Sequence, residues 1–254
     1  MNLPFVHTGS IVRKIWGNAD TVLLVFAGSA AEFPLNKAVD WLYFTGRLPS
    51  DPLGRLFSTV QYAQQIVFSS YDDALAAIDR ITAIHKGVET QRNSRIPDYA
   101  YLDVLFMLID YTIRSAALLG YKLDTTEKME IFDVFYRVGA RMGLKDLPAD
   151  YSRWERMRTE YLGGHLVRSA FTIDLYRQYR RHLGPFRYYL LLQVQSLLVP
   201  AKVRQLLALP KLPLFYPVVW SYRVAHRLRL DKLIKAVLLP RAYKMQIAGL
   251  DKRA

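Results

Sequence analysis

YAYLDVLFMLIDYTIRSAALL, residues 99–119, is apolar on almost every side, with Asp103, Asp110 and Arg114 as its only charges. A surface helix shows one polar face, whereas a helix apolar all round needs neighbours on every side. The stretch therefore predicts a central buried helix over about 99–119, with the rest of the chain packed around it. Its three charges are spaced seven and four apart, so they share one narrow stripe. Asp110 and Arg114 can pair one turn apart. Two readings of the stripe stand. It is the solvent edge of a mostly buried helix, or it is a polar line inside a cavity, where an ionised Asp110 takes Arg114 or a cofactor as its partner.

Helical periodicity continues on both sides of this segment. Residues 21–45 read as an apolar helix interrupted at Pro34. Asp51-Pro52 is a helix start, with Asp51 as N-cap and Pro52 at the first helical position, where its missing N–H costs nothing. Leu53, Leu56, Phe57, Val60 and Val67 follow at helical spacing. Ser70 and Asp73 open a further helix with Ala74, Ala77, Ile78, Ile81, Ile84 and Val88 on one face. Asp124 and Glu127 begin another, which carries Phe132, Phe135, Val138 and Met142 and ends at Gly143. The last third reads as helices near 150–162, 171–183, 186–208 and 214–235, with a short one after Pro240. Pro200, Pro210, Pro213 and Pro217 punctuate it. No alternating strand pattern and no internal repeat stand out. The expected fold is all-α, one multi-helix domain over residues 1–254.

Composition narrows the chemistry. The chain has 254 residues, 52% of them hydrophobic and 13% aromatic, which suits a packed core and excludes a disordered chain. It has no cysteine, so disulfides, cysteine nucleophiles, thiolate zinc sites and iron–sulfur clusters are excluded. Residues 1–150 carry 15 basic and 17 acidic side chains, while residues 151–254 carry 20 and 5, a net of +15. Such one-sided charge suits nucleic acid, an anionic membrane surface or acidic ligands. The first residues lack the pattern of a signal peptide, and no apolar run reaches the length of a spanning helix. A cytoplasmic or membrane-peripheral chain is the expectation. Leu212 to Trp220 and Leu233 to Leu239, with Trp220 and Tyr222, combine oily surface with flanking basic residues, as a peripheral helix on anionic lipid does.

Glycine-rich phosphate loops, HExxH, GxSxG and EF-hand ligand runs are all missing. The histidines are His7, His85, His165, His182 and His226. His85 lies in the middle of an apolar stripe, four residues after Ile81 and three before Val88. A buried neutral imidazole there is a metal ligand, or a core histidine satisfied by a backbone carbonyl. Tyr176, Tyr179, Tyr188 and Tyr189 interleave with Arg177, Arg180, Arg181 and Arg187, a composition that suits base stacking. The same tyrosines fall at core-facing spacing, and with no nucleic-acid module present a nucleic-acid partner is not expected.

Several segments together resemble one family. Val22 to Val39 (VLLVFAGSAAEFPLNKAV) and Asp51 to Thr59 (DPLGRLFST) look like the opening of the MpaB and latex-clearing-protein (rubber oxygenase) family. The helix with His85-Lys86-Gly87-Val88, the aspartate-bearing central helix and Val237-Leu238-Leu239-Pro240-Arg241 follow in the family's order. DPLGRLFST is the most specific piece. The resemblance implies an all-helical oxidoreductase built around haem b, an oxygenase that cleaves C=C bonds of hydrophobic isoprenoid chains. It implies His85 as axial iron ligand, Arg55 with Thr59 and Arg114 around the cofactor, Asp110 and Thr112 near the reacting face, and Phe106 and Tyr111 along the substrate channel. Two positions depart from the family. Thr82 stands where an arginine is characteristic. Asp110-Tyr111-Thr112 stands where His-x-Thr ligates iron, or Ile109 takes the histidine's place if the register is set on Ser115. Aspartate is a poor haem ligand beside imidazole, and isoleucine is none. The alternative is a haem-free relative that binds a hydrophobic ligand without turnover.

Overall fold

The central helix is where the sequence puts it. In the computed structural model, which describes residues 3–44, 46, 50–210 and 251, helix α6 spans Asp98–Leu118. It packs against four other helices, most extensively against α2 (Ala19–Glu32) and then α7 (Thr125–Arg141), α9 (Ala170–Leu198) and α8 (Tyr151–Gly164). Leu102, Leu105, Phe106, Met107, Ile109 and Tyr111 are all buried, as an all-round apolar helix requires. No strand forms among the described residues; Pro4 with Ser70 and Asn36 with Leu166 make isolated bridges.

The other elements begin and end where local chemistry directs. A short α1 (Ile11–Trp16), not evident in the periodicity, precedes α2. Asn18 caps α2 by accepting from the backbone N–H groups of Asp20 and Thr21. Pro34 ends α2 in a 3-10 turn over Phe33–Leu35, and α3 (Asp40–Phe44) follows. In α4 (Pro52–Phe68), Asp51 accepts from Gly54 N at 2.9 Å and Pro52 takes the first position. Val60 and Val67 are buried as expected; the side chains of Leu53 and Leu56 lie outside the described set. The reciprocal capping box of Asp124 and Glu127 opens α7, at 2.8 and 3.0 Å, and Gly143 follows its end with φ +75°.

Two expectations need correction. In α5 (Tyr71–Arg92), Ala74, Ala77 and Ile78 are buried, but Ile84 is 44% exposed because the second half of the helix leaves the core. The stretch 186–208 is not one helix: Pro200, without an N–H, ends α9 at Leu198, and α10 (Ala201–Leu207) starts anew. The expected division between 171–183 and a helix from 186 holds: α9 consists of two helical arms, interrupted at Gly184 (φ 74°, ψ 167°, outside the helical region) and Pro185. The helices expected at 214–235 and after Pro240, and the lipid-facing segments with Trp220 and Tyr222, lie outside the described residues.

Candidate functional site

Asp110, 7% exposed, sits at the middle of α6 and is the hub of a buried charge network. Arg114 Nε donates to its Oδ1 at 2.7 Å, the pairing that the spacing predicts. Its Oδ2 accepts from Arg158 Nε at 3.1 Å and Nη2 at 3.0 Å. Arg158, brought in by α8, also donates from Nη1 and Nη2 to Glu32 of α2 at 2.5 and 2.6 Å. Tyr111 OH adds a bond to Glu32 Oε2 at 2.8 Å. Two carboxylates and two guanidiniums therefore alternate, and every carboxylate oxygen has a donor. That is the condition for keeping charges in an interior. Burial works against the Arg158 cation, but Glu32 and Asp110 outweigh it and hold the guanidinium charged. Burial and the Glu32 charge push the Tyr111 phenol well above its usual range, so it stays a donor.

The polar stripe is thus buried at Asp103 and Asp110 and reaches solvent at Arg114, whose side chain is 39% exposed, and Arg158 is as much a partner of Asp110 as Arg114 is. The neighbouring candidates are equally committed. Thr112 Oγ1 donates to the Leu108 carbonyl at 2.6 Å. Phe106 is fully buried with its ring 5.1 Å from that of Tyr161. Tyr111 lies flat on α2 at Gly28, where a Cβ would come within 2.2 Å of its ring. The Asp110-Tyr111-Thr112 segment does not fit a haem iron: its polar atoms are taken and its side chains are the helix–helix interface.

One turn pair earlier on α6, Asp103 is also buried, but in different company. Its Oδ2 accepts from Asn36 Nδ2 at 2.5 Å and lies 3.3 Å from His165 Nδ1, without the alignment of a hydrogen bond. The rings of Tyr161 and Tyr99 flank His165 at 4.2 and 4.6 Å. Burial pushes the Asp103 carboxyl up to about 7, with the Glu32 charge adding to it and the Asn36 bond opposing. Burial and Lys37 hold His165 below its ordinary value. Both shifts favour the uncharged forms, so this contact is not an ion pair.

His85 lies on α5, against the first turn of α6. It is half-buried, its ring edge-on to Tyr101 at 5.3 Å, and the Ile81 carbonyl one turn back is its backbone partner, although Nδ1 lacks the alignment of a full hydrogen bond. Burial and the nearby Arg55 cation lower its pKa, which leaves a neutral imidazole at pH 7. Arg55 comes from α4, and Thr59, exposed one turn on, donates to the Arg55 carbonyl at 3.2 Å. Ile84 and Gly87 lie beside His85 on the same helix, and a Cβ on Gly87 would meet nothing within 4 Å. The structure thus brings His85 and Arg55 together, with the exposed Gly87 and Ile84 of α5 beside them. Among the described residues no group of three or more His, Cys, Asp or Glu is placed to hold a bare metal ion. Haem brings four nitrogens of its own and asks the protein for an imidazole and a cation, so His85 and Arg55 fit it. An open cavity of about 630 Å³, lined by Asp146, Leu147, Asp150, Arg153 and Met157, contains none of the expected site residues.

Glu32, Arg158, Asn36 and His165 are the partners that sequence reasoning missed. Two of them left a trace. Glu32 is the lone charge in the apolar run Val22 to Leu35, and Arg158 lies four residues after Trp154, on the face that also buries Met157.

A family model described as ER-bound oxygenase mpaB/B′/rubber oxygenase, catalytic domain, matches residues 16–230. No curated protein and no solved structure matches the chain. The match takes in α2, the DPLGRLFST segment, His85 and the whole of α6, and on that span the chain belongs to the mpaB and rubber oxygenase catalytic-domain family.

Proposed function

We propose that the chain is a haem-dependent oxidoreductase of the oxygenase type, acting on a hydrophobic, isoprenoid-like substrate, with His85 as the residue that holds the iron. The observation that carries this is the state of His85: a half-buried neutral imidazole beside the Arg55 cation, steadied by the Ile81 carbonyl one turn back on its own helix, an arrangement in which the other ring nitrogen can ligate iron. Metal ligation requires the neutral form. Haem b, when bound, would supply the dioxygen activation, and His85 and Arg55 would hold it. Arg55 neutralises a propionate, and Thr59 borders it from the next turn of α4. Arg114, Asp110 and Thr112 do not touch the reacting atoms in this reading; they keep α6 in place behind the site.

The visible spectrum of the purified full chain, expressed with a haem precursor, tests this. A Soret band that His85→Ala removes, with helicity retained, is the expected result. A colourless chain that takes up no haemin overturns it. A second reading, a haem-free relative that binds a hydrophobic ligand without turnover, is favoured by the closed Glu32–Arg158–Asp110–Arg114 network at the family's iron-ligand position. It predicts binding of a long-chain isoprenoid by a colourless chain, with no product formed under oxygen.

A further inference from the structure

Before its kink, α9 turns Ile173, Arg177, Arg180 and Arg181 to solvent, positions that share one helical face. At Gly184 and Pro185 the helix bends, and Phe186 stands at the bend 61% exposed, with Tyr189 exposed one turn further on. Asp174 is the one carboxylate in residues 170–198, and it lies 3.7 Å from Arg177. Arg180 and Arg181 therefore give this surface an excess of positive charge. Of the aromatic residues that interleave with the arginines, Tyr176 and Tyr179 are turned the other way, while Tyr189 stays outside. Tyr176 OH donates to Gln195 Oε1 at 2.9 Å and Tyr179 OH to the Ala30 carbonyl at 3.3 Å, in a small core with Leu175.

We propose that this kinked face of α9 docks on an anionic lipid bilayer, Phe186 entering the headgroup layer while Arg180 and Arg181 engage the anionic headgroups. A single-stranded nucleic acid would need aromatic faces along a basic groove on which to stack. Here Tyr176 and Tyr179 are spent on the core, and what remains outside is an aromatic point, Phe186 with Tyr189, with cations beside it and no row of rings along a groove. That is the pattern of interfacial elements, in which aromatic residues sit at the headgroup level and basic residues add electrostatic attraction. No helix among the described residues is long and apolar enough to cross a membrane, so the contact is with the surface of the bilayer. The proposal is independent of whether haem is bound.

The test is co-sedimentation of the full chain with vesicles of phosphatidylcholine alone and of phosphatidylcholine mixed with phosphatidylserine. Binding is expected with phosphatidylserine, falling as salt shortens the Debye length. The double variant R180Q/R181Q is expected to lower the partition coefficient about 30-fold, from roughly a fivefold contribution per basic residue near the surface. Phe186→Ser is expected to weaken binding at every salt concentration while leaving its salt dependence. In the Phe186→Trp variant, brominated lipid is expected to quench emission beyond that of the native tryptophans. All these side chains are exposed, so the far-ultraviolet spectrum serves as a check that the fold is kept. Unchanged binding of both variants, equal binding to phosphatidylcholine alone, or single-stranded DNA that displaces the chain from vesicles through these same residues overturns the proposal.

Discussion

Asp103 and Asp110 lie two turns apart on one face of α6, yet their surroundings give them opposite characters. Asp110 is held between two guanidiniums, while Asp103 has an amide and a neutral imidazole. The folded-state pKa of Asp103, about 7, stands above its ordinary value of 3.8, so the folded chain holds the proton more tightly than the unfolded one. The stability this gives is fully present below about pH 4 and is lost as pH rises through about 7. Asp103→Asn is therefore expected to gain on the wild type steadily across that window, by a few kcal/mol (order of magnitude) at its upper end. Urea midpoints measured at a series of pH values check this, and parallel curves for the two proteins contradict it. At Arg158 the expectation is a plain loss. Arg158→Met leaves Glu32 and half of Asp110 uncompensated and is expected to cost about 3–5 kcal/mol. A change below about 1 kcal/mol would mean that the network is not formed in solution. At this scale the sequence was half legible. Arg114 is found from Asp110 by counting one turn, whereas Arg158 lies 48 residues away and Glu32 lies 126 from Arg158, so only the packing of α2 and α8 on α6 joins them.

The interface of α2 and α6 depends on a contact as short as a ring against a backbone. Tyr111 occupies the space that a side chain at position 28 would need, and its hydroxyl ties the two helices through Glu32. Gly28→Ala must displace the ring from a full core and is expected to cost about 1–3 kcal/mol. Tyr111→Phe keeps the packing and removes a bond to a charged acceptor, for about 1.5–3 kcal/mol. Thermal melts of the two variants check both, and a neutral Gly28→Ala would show that α2 and α6 lie further apart than described. Helix starts and stops were the most legible elements, because Asp51-Pro52, the Asp124–Glu127 box and Gly143 act within one turn of chain. The break at Gly184-Pro185 was legible for the same reason, while the end of α9 before Pro200 was less so. Whether a proline kinks a helix or ends it depends on neighbours that re-satisfy the freed carbonyls. In α9, Gln195 Nε2 bonds the Ala27 carbonyl and Thr172 Oγ1 the Pro34 carbonyl, fixing both arms of the bend on α2 and its following turn.

Over the whole molecule, the all-round apolarity of residues 99–119 was enough to place one helix at the centre and the others around it. On the same segment Asp110 closes its charge with Arg114 and Arg158. The imidazole proposed for the cofactor is His85, on a helix whose outer half leaves the core, with Arg55 next to it. That division, structure at Asp110 and cofactor at His85, is the central claim. A haemin titration of His85→Ala and Asp110→Asn side by side, read at the Soret band with thermal melting of the same samples, tests it most directly. The account predicts that His85→Ala loses the band and keeps its melting temperature, while Asp110→Asn keeps the band and melts lower. A band that survives His85→Ala and disappears in folded Asp110→Asn would contradict it.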